Sequence, residues 1–247
     1  AIRWEIEANI PLAFEDLIYD YEVIAPMGKT AQRVPVSPTE PTEPTEPTEP
    51  TEPTVDAVQP VGEPDHLDIV VTAFPKVLVD SYIRVLRGAG LSLAFLGLES
   101  QAITRAVVPD FHEAVPRVIV DIGRTRTSFI VCVGGVLIFT TTIELGGQLL
   151  ENSLMKASQI SQEEARLMKV QIGLNRTERN GAVFEALLSV VAVLADELGR
   201  VVEYYHHHAT HMHGVPETIG SVMLVGGDAN LPGLETYLAS ALKLPVA

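Results

Sequence analysis

The sequence predicts an α/β fold, because stretches typical of strands alternate with stretches typical of helices along most of its 247 residues. Residues 67–74 form a nearly continuous apolar run of strand length, and residues 118–120 belong to a second one. Between them, Leu78, Tyr82 and Val85 recur at the spacing of one helix face. A hydrophobic content of 47% and a mean hydropathy of +0.22 exclude a wholly disordered chain.

The first two predicted strands flank a low-complexity segment. Residues 18–23 alternate with period two, so they are predicted to pair with residues 67–74 in one sheet. Between them, Pro, Thr and Glu recur in order through residues 38–54. A proline at every third position removes backbone donors and favours polyproline II, so we expect a stiff, solvated, disordered insertion at residues 28–66. A ligand for a proline-recognition domain is the alternative, although no basic anchor flanks the repeat.

Three further strands are predicted in succession, followed by a last one near the end of the sequence. Residues 118–120, 129–133 and 136–143 have strand character. Gly134-Gly135 joins the last two of these and predicts a two-residue hairpin with positive φ. The final strand is predicted at residues 222–225.

The predicted helices have recognisable ends. Gly88-Ala89-Gly90 stops the helix that starts near Leu78. Ser161 and Glu164 form a capping box that opens a helix reaching Gly173. A long helix follows, and the apolar residues of its predicted buried face are Phe184, Leu187, Leu188, Val191, Leu198 and Tyr205.

Charge and cysteine content exclude several function classes. A formal net charge of −15 argues against generic binding to nucleic acid or to an anionic membrane surface. Cys132 is the single cysteine, which excludes an internal disulfide and a cysteine-rich zinc site and indicates a reduced, cytoplasmic setting. The longest uncharged apolar runs, 129–139 and 186–195, fall well short of the roughly 20 residues that span a bilayer, so we predict a soluble protein. Because the sequence opens on Ala1 without a methionine or a signal peptide, we expect the natural N-terminus upstream.

A glycine turn follows the strand at 118–120 and is the first candidate site. Asp121 comes at the strand end, and Gly123 lets backbone N–H groups approach a phosphate closely. Thr125 and Thr127 add hydroxyl donors, and Asp121 is suited to hold Mg²⁺ through water. Taken alone, the same pattern is also typical of a β-turn capped by an aspartate.

Two more glycine pairs end predicted strands. Gly226-Gly227 precedes Asp228 and a predicted helix with Pro232 near its first turn, and such a pair permits close approach of a flat ring or a ribose. A plain strand-to-helix turn is the alternative. Gly146-Gly147 follows the hairpin strand.

Together, in this order and spacing, these motifs resemble the nucleotide-binding half of the actin-like ATPase superfamily. Within that superfamily the sequence resembles the PilM family of type IV pilus assembly proteins, and at one remove the cell-division protein FtsA. The superfamily motifs are residues 121–127, 145–147 and 225–234. The PilM-like signature is carried by residues 2–12 and 19–24 and extended by residues 89–91 and 98–106. The resemblance covers the chain except for the Pro-Thr-Glu insertion.

The resemblance implies a two-lobed, ribonuclease H-like fold around a cleft that binds ATP with Mg²⁺. In that reading residues 1–114 are a remnant of the first lobe with a small inserted subdomain, and residues 115–247 are the second, nucleotide-binding lobe, with its own small subdomain at about 148–180. The residues implied to contact nucleotide are Asp121, Gly123, Thr125 and Thr127 at the phosphates, Gly146 and Gly147 beside the sugar, Lys169 beside the base, and Gly226 and Gly227 at the adenosine, with Asp121 also holding the metal.

Three features depart from the family pattern. The first phosphate loop is expected upstream of Ala1. Arg166 stands where an acidic residue is usual before the Lys169 position, and Asp228 puts a carboxylate after the glycine pair, where small residues are common.

The resemblance further implies a cytoplasmic protein that sits at the inner membrane through a partner. That partner is the short cytoplasmic segment of a PilN-like inner-membrane protein, gripped beside a small subdomain containing Tyr19, Tyr21, Val23, residues 67–74 and the helix from Leu78. An FtsA-like division or filament protein is one alternative, and an active ATPase or small-molecule kinase of the same superfold is another. No water-orienting or basic catalytic residue is assigned from the sequence, so at most weak ATPase activity is expected.

Two remaining features have ordinary structural interpretations. His206, His207, His208, His211 and His213 lie near the end of the long helix, and His207 and His211 share an i, i+4 spacing that zinc sites use, but no glutamate or thiolate accompanies them as in known zinc motifs. We interpret them as surface histidines, and Cys132 as a small core residue.

Overall fold

A computed structural model describes residues 2–23, 69–108, 115–177, 181–209 and 218–247. The predicted insertion at 28–66, with its repeat, and His211 and His213 lie outside the described residues. The strands are β1 (Leu17–Val23), β2 (Ile69–Pro75), β3 (Arg117–Ile122), β4 (Thr127–Val133), β5 (Val136–Ile143) and β6 (Ser221–Val225). The α-helices are α1 (Ile2–Asn9), α2 (Lys76–Gly88), α3 (Glu99–Val107), α4 (Gly147–Ser158), α5 (Gln162–Gln171), α6 (Ala182–Ala209) and α7 (Leu234–Leu242).

Strands β1 and β2 form an antiparallel pair, as the sequence predicts. Their register runs from Leu17 opposite Pro75 to Val23 opposite Ile69. The 45 residues from 24 to 68 therefore connect two neighbouring strands of one sheet. Helix α2 begins directly after β2 and ends at Gly88, and Gly90 follows with φ +75°, which confirms the predicted glycine stop.

Strands β3 to β6 form a second, four-stranded sheet in the order β5-β4-β3-β6. The pairs β5/β4 and β4/β3 are antiparallel, whereas β3 and β6 are parallel. Gly134 and Gly135 have φ values of +53° and +75°, which confirms the predicted hairpin turn between β4 and β5. The parallel pairing places the carboxyl ends of β3 and β6 side by side, with Asp121 opposite Val225.

The alternation of side chains divides the core of this sheet into two faces. Val118, Val120 and Phe129 belong to the large core cluster, which includes buried residues of α4, α5, α6 and α7. Ile119 and Ile130 point the other way and pack with residues of α3. Cys132 also lies in this second cluster, and burial raises the pKa of its thiol to about 11, which confirms its interpretation as a core residue.

The helix ends confirm features that the sequence predicts. The side chain of Ser161 accepts from the Glu164 N–H and the Glu164 side chain accepts from the Ser161 N–H, which is the predicted capping box. Pro232 lies directly before Gly233, the N-cap of α7, near the first turn of that helix as predicted, and a one-turn 3-10 helix at Gly227–Asn230 comes between Gly226 and α7. No helix among the described residues is both long enough and apolar enough to cross a bilayer.

Candidate functional site

The three glycine turns that the sequence singles out come together at the carboxyl end of β3. The Gly147 N–H donates to the Gly123 carbonyl at 3.0 Å, so the start of α4 rests on the turn between β3 and β4. A Cβ atom on Gly226 would lie 2.5 Å from Oδ1 of Asp121, so the turn after β6 touches the same strand end. Ligands of open α/β sheets bind beyond the carboxyl ends of strands, and this is such a place.

Close approach of backbones explains why glycine occupies these positions. A Cβ atom on Gly146 would lie 2.5 Å from the Gly123 carbonyl oxygen and 2.6 Å from the carbonyl carbon of Arg124. Gly226 has φ +92°, a conformation that side chains other than glycine rarely adopt. Any larger residue at either position would push two of the three turns apart.

Asp121 lies half-buried at the end of β3. Burial raises the pKa of its carboxyl, the negative charge of Glu99 raises it further, and the positive charge of Arg126 opposes both. A carboxylate that is short of positive charge in this way is well suited to a hydrated divalent cation, because the cation would supply the missing charge.

The turn between β3 and β4 presents exposed side chains around the Gly123 backbone. Arg124, Thr125 and Arg126 are all exposed, and the Arg126 guanidinium lies 3.3 Å from a carboxylate oxygen of Glu99 at the start of α3. The predicted hydroxyl donor Thr125 is thus accessible, next to two cations.

Thr127 is placed differently from the sequence-based expectation. Its side chain is fully buried, and its hydroxyl donates to the Leu145 carbonyl at 2.6 Å. This hydroxyl therefore has a protein acceptor and holds the segment before Gly146 against β4, whereas the sequence interpretation has it donating to a phosphate.

Lys169 is also engaged by the protein itself. Its ammonium group lies 2.8 Å from Oε1 of Glu151 and 2.5 Å from Oδ1 of Asp228. Burial alone would raise the pKa of Glu151, but hydrogen bonds from Lys169 and Gln162 hold it below its usual value. The lysine expected beside a base is thus the centre of a charge triad, Glu151–Lys169–Asp228, which joins α4, α5 and the 3-10 helix after β6.

Asp228 also explains the glycine at position 147. A Cβ atom on Gly147 would overlap the Asp228 carboxylate, so the carboxylate lies directly against the first residue of α4. The two departures from the family pattern near Lys169, Arg166 and Asp228, therefore differ in how closely they belong to the site. Arg166 is exposed on α5, whereas Asp228 is built into the packing of the site.

Sequence reasoning missed two acidic residues of this site. Glu151 lies on the buried stripe of α4 beside Leu150 and Leu154, and a glutamate at such a position signals a buried cationic partner. Glu99 leaves no comparable signal, because it reaches Asp121 and Arg126 only through the packing of α3 on the sheet.

A second concave surface lies on the other sheet. It is a groove of about 200 Å³ between β1, β2, α2, α3 and the segment before α3. The lining residues used below are Tyr19, Tyr21, Phe74, Val79 and Phe95. Tyr19, Tyr21 and Phe95 are 41%, 49% and 71% exposed, which is unusual for large aromatic side chains. Residues of the two strands and of the helix that the sequence places in this part of the chain line the groove, and Val79 is the residue of α2 in its lining.

The described histidines have contacts within the protein. The Ile219 N–H donates to Nε2 of His206 at 3.4 Å, and the His208 ring stacks on Tyr204 with centroids 3.9 Å apart. Among the described residues, no group of three or more histidine, cysteine, aspartate or glutamate side chains is arranged to hold a metal ion.

Comparison with known proteins gives one family match. The profile of the family described as "Type IV pilus assembly protein PilM" matches residues 56–247. Curated relatives include the cell division protein FtsA of Enterococcus hirae, 23% identical over 173 residues, and that of Enterococcus faecalis, 24% identical over 178 residues. These matches cover 65% and 67% of this chain, and the chain spans about two fifths of the length of each FtsA protein.

Solved structures extend the comparison to the whole chain. A PilM-PilN type IV pilus biogenesis complex matches with a TM-score of 0.63 and 19% identity, covering 100% of this chain and 60% of that one. MreB5 of Spiroplasma citri bound to ADP matches with a TM-score of 0.56 and 15% identity, covering 70% of this chain and 60% of that one. At these identities the likeness establishes the fold that the matched proteins share.

Proposed function

Since the chain belongs to the PilM family of type IV pilus assembly proteins and has the actin-like ATPase fold, we propose that it binds ATP with Mg²⁺ and grips a peptide of a membrane-anchored, PilN-like partner. The residues of the two concave surfaces support the two halves of this proposal separately. The nucleotide half rests on the glycine turns around Asp121, and the peptide half rests on the groove beside β1 and β2.

A single observation carries the nucleotide half. Three glycine turns from separate parts of the chain converge on one half-buried carboxylate, Asp121. The donor set fits Mg-ATP, because Asp121 offers oxygen ligands to a hydrated Mg²⁺. Residues 124–126 offer backbone N–H groups, the Thr125 hydroxyl and two guanidinium groups to phosphates, while the Gly123 N–H closes the turn on the Arg126 carbonyl.

The remaining predicted residues take roles that follow from their positions. Gly226 and Gly227 form the exposed turn on which we place the adenosine, and Gly146 and Gly147 lie beside the sugar. Lys169 flanks the base from α5, with its charge balanced by Glu151 and Asp228. Thr127 acts indirectly, by fixing Leu145 and hence Gly146. In this proposal residues 115–247 are the nucleotide-binding lobe, residues 148–180 are its small subdomain, and residues 1–114 belong to the other lobe.

The peptide half of the proposal rests on the exposed aromatic side chains of the groove. An extended peptide contributes apolar side chains and backbone groups, and a groove between a two-stranded sheet and two helices suits both. The matched solved structure is a complex of PilM with PilN, and it motivates a PilN-like occupant here. Such a partner would hold the protein at the inner membrane peripherally.

Hydrolysis of the nucleotide is a second candidate activity, and the position of Glu99 favours it. Its exposed carboxylate lies 3.3 Å from the Arg126 guanidinium and raises the pKa of Asp121, and α3 packs in a different core cluster from α5. An acidic group so placed is able to orient a water molecule toward a phosphate. A Glu99→Gln variant that binds Mg-ATP normally but releases phosphate more slowly would support this assignment, and equal rates would contradict it.

The nucleotide half is tested by calorimetry on the protein at its full natural length. Asp121→Asn keeps the size of the side chain and removes its charge, so we expect Mg-ATP to bind at least about ten-fold more weakly, a loss of about 1.4 kcal/mol. Asp196→Asn, a change at an exposed carboxylate on α6, is the matched control and should leave the affinity unchanged. Equal affinities of the wild type and Asp121→Asn would contradict the assignment.

The peptide half is tested by fluorescence anisotropy with a labelled peptide of the N-terminal cytoplasmic segment of the PilN-like protein from the same organism. Tyr21→Ser removes an aromatic side chain from the groove and should weaken binding. Val193→Ser removes a side chain of α6 that is similarly exposed but does not line the groove. This control variant should not weaken binding. Equal loss in both variants would place the peptide elsewhere.

A further inference from the structure

The buried charge triad Glu151–Lys169–Asp228 has a feature that packing alone does not require. Lys169 is neutralised twice, by Glu151 on α4 and by Asp228 on the turn after β6. The three side chains are 4%, 9% and 16% exposed in the order Glu151, Lys169, Asp228. Asp228 is thus the partner nearest to solvent. Within the triad two carboxylates share one ammonium group, and the positive charge of Arg124 also acts on Glu151.

The two ion pairs join different elements. Glu151 and Lys169 link α4 to α5, which lie side by side in the small helical pair after β5. Asp228 and Lys169 link α5 to the turn that begins at Gly226. The end of α5 is also fixed nearby, because the Leu174 N–H donates to the Pro232 carbonyl at 2.8 Å and Gly173 with φ +55° permits that approach. The Lys169–Asp228 pair therefore joins α5 to the residues that follow the Gly226-Gly227 turn. The hydrogen bond from Leu174 joins the segment after α5 to Pro232.

The second carboxylate makes this pair easier to open than an ordinary buried ion pair. Removing the only partner of a buried charge is strongly unfavourable, because the charge is left without compensation. If the Asp228 side chain turns toward solvent, Lys169 keeps its ion pair with Glu151. The Asp228 carboxylate is then hydrated by water. The closed pair is favoured by its short contact, but the open state leaves no uncompensated buried charge.

We infer that the Lys169–Asp228 ion pair is a latch that holds α5 closed on the Gly226-Gly227 turn and that a nucleotide must open it to seat its base and ribose. This inference rests on the proposed nucleotide site. A ligand that binds only the open form has its affinity reduced by the fraction of molecules that are open. Asp228 therefore acts through Lys169 to set the affinity for nucleotide, and its presence keeps that affinity low.

The latch is tested with two variants that make the same change of charge beside the same lysine. Asp228→Asn keeps the volume of the side chain against Gly147 and removes its charge, and Lys169 retains Glu151. We expect it to bind Mg-ATP or Mg-ADP at least about five-fold more tightly than the wild type, because the open fraction rises. Glu151→Gln makes Asp228 the only ion-pair partner of Lys169, so the open state would leave an uncompensated buried charge, and we expect this variant to bind nucleotide more weakly than the wild type. Both affinities are measured by calorimetry on the protein at its full natural length.

A second readout follows the latch without any ligand. Amide hydrogen exchange of α5 in the nucleotide-free protein should be faster in Asp228→Asn than in the wild type. Unchanged exchange would overturn the latch, and so would an equal or weaker affinity in Asp228→Asn, since that result would make Asp228 a direct ligand of the nucleotide or a bystander. Absence of nucleotide binding by the wild type and by both variants would instead overturn the proposed function, and the gating with it.

Discussion

The two sheets of this protein bury their residues to very different extents. In the four-stranded sheet, Val118, Val120, Phe129 and Val131 are fully buried beneath α6 and its neighbours. In the two-stranded sheet, residues 69–74 are all only half-buried, and Val79 is the buried residue of α2. The same kinds of apolar residue thus form a closed core in one region and an open surface in the other.

This difference matches the two proposed tasks. A phosphate-binding turn must keep its backbone donors in fixed positions, and the turn at Gly123 joins β3 and β4, which are the most deeply buried strands. A peptide groove must offer apolar surface to a partner, and the exposed side chains of Tyr19, Tyr21 and Phe95 offer it. Binding of a peptide in the groove would complete packing that the chain alone leaves open.

The largest expected contrast comes from one substitution made in each region. Phe129→Ala removes a fully buried ring, so it should lower the free energy of unfolding by about 3–5 kcal/mol. Phe95→Ala removes a ring that is 71% exposed, so it should change stability by less than about 0.5 kcal/mol while weakening binding of the PilN-like peptide. Urea unfolding of both variants measures the contrast. Similar losses of stability would mean that the groove beside the two-stranded sheet is packed as tightly as the core of the four-stranded sheet.

A smaller effect is expected at the start of α5. The capping box of Ser161 and Glu164 satisfies backbone donors at the start of this helix. Helix α2, beside the two-stranded sheet, begins after Pro75 without a side-chain cap. Ser161→Ala should lower the free energy of unfolding by about 1 kcal/mol. Ser81→Ala, in the interior of α2, is the comparison, because its hydroxyl only returns to the Val77 carbonyl. A larger loss at Ser81 than at Ser161 would contradict the view that α5 is the more precisely fixed helix.

Local signals in the sequence predicted the elements but not all of their partners. The Gly134-Gly135 hairpin, the glycine stop after α2 and the Ser161 capping box were predictable, because each is determined by residues within a few positions of one another. Helix α3 was not predicted, since its buried residues, Ser100 and Thr104, are polar. Helix α4 begins at a glycine without a side-chain cap and has no start signal either.

The candidate site divides in the same way. Glycine pairs at strand ends indicated which turns meet, because a close approach of backbones leaves glycine as its signature. Two sets of contacts were not predictable in this way, because they join residues 18 or more positions apart. They are the hydrogen bond from Thr127 to Leu145 and the ion pairs of Lys169 with Glu151 and Asp228. Neither spacing nor residue type distinguishes a hydroxyl or an ammonium group that faces a ligand from one that faces the protein.

A modest effect is expected from the titration of Asp121, at the end of β3 in the four-stranded sheet. Burial and Glu99 raise the pKa of Asp121, so the folded state binds its proton more tightly than the unfolded state does. The stability that comes from the protonated form is present at acidic pH and is lost as the pH rises through the raised pKa. Asp121→Asn cannot ionise, so its melting temperature should exceed that of the wild type at pH 7 by more than at pH 4.5. A melting temperature that falls at pH 7 would mean that the carboxylate makes a stabilising contact in the absence of metal.

The smallest effect is expected from the segment that joins β1 to β2. Residues 38–54 carry a proline at every third position and five glutamates, so neither strand pairing nor burial suits them. Because Val23 and Ile69 are already paired across the sheet, the pairing of the two strands does not depend on the length of the connection, and a short Gly-Asn turn is able to take the place of the repeat. Replacing residues 38–54 in this way should leave the melting temperature within about one degree or raise it slightly, since closing a shorter loop costs less entropy. A loss of several degrees by calorimetry would show that the repeat packs on the open sheet, and the apolar surface assigned to a partner would then belong, at least in part, to the chain itself.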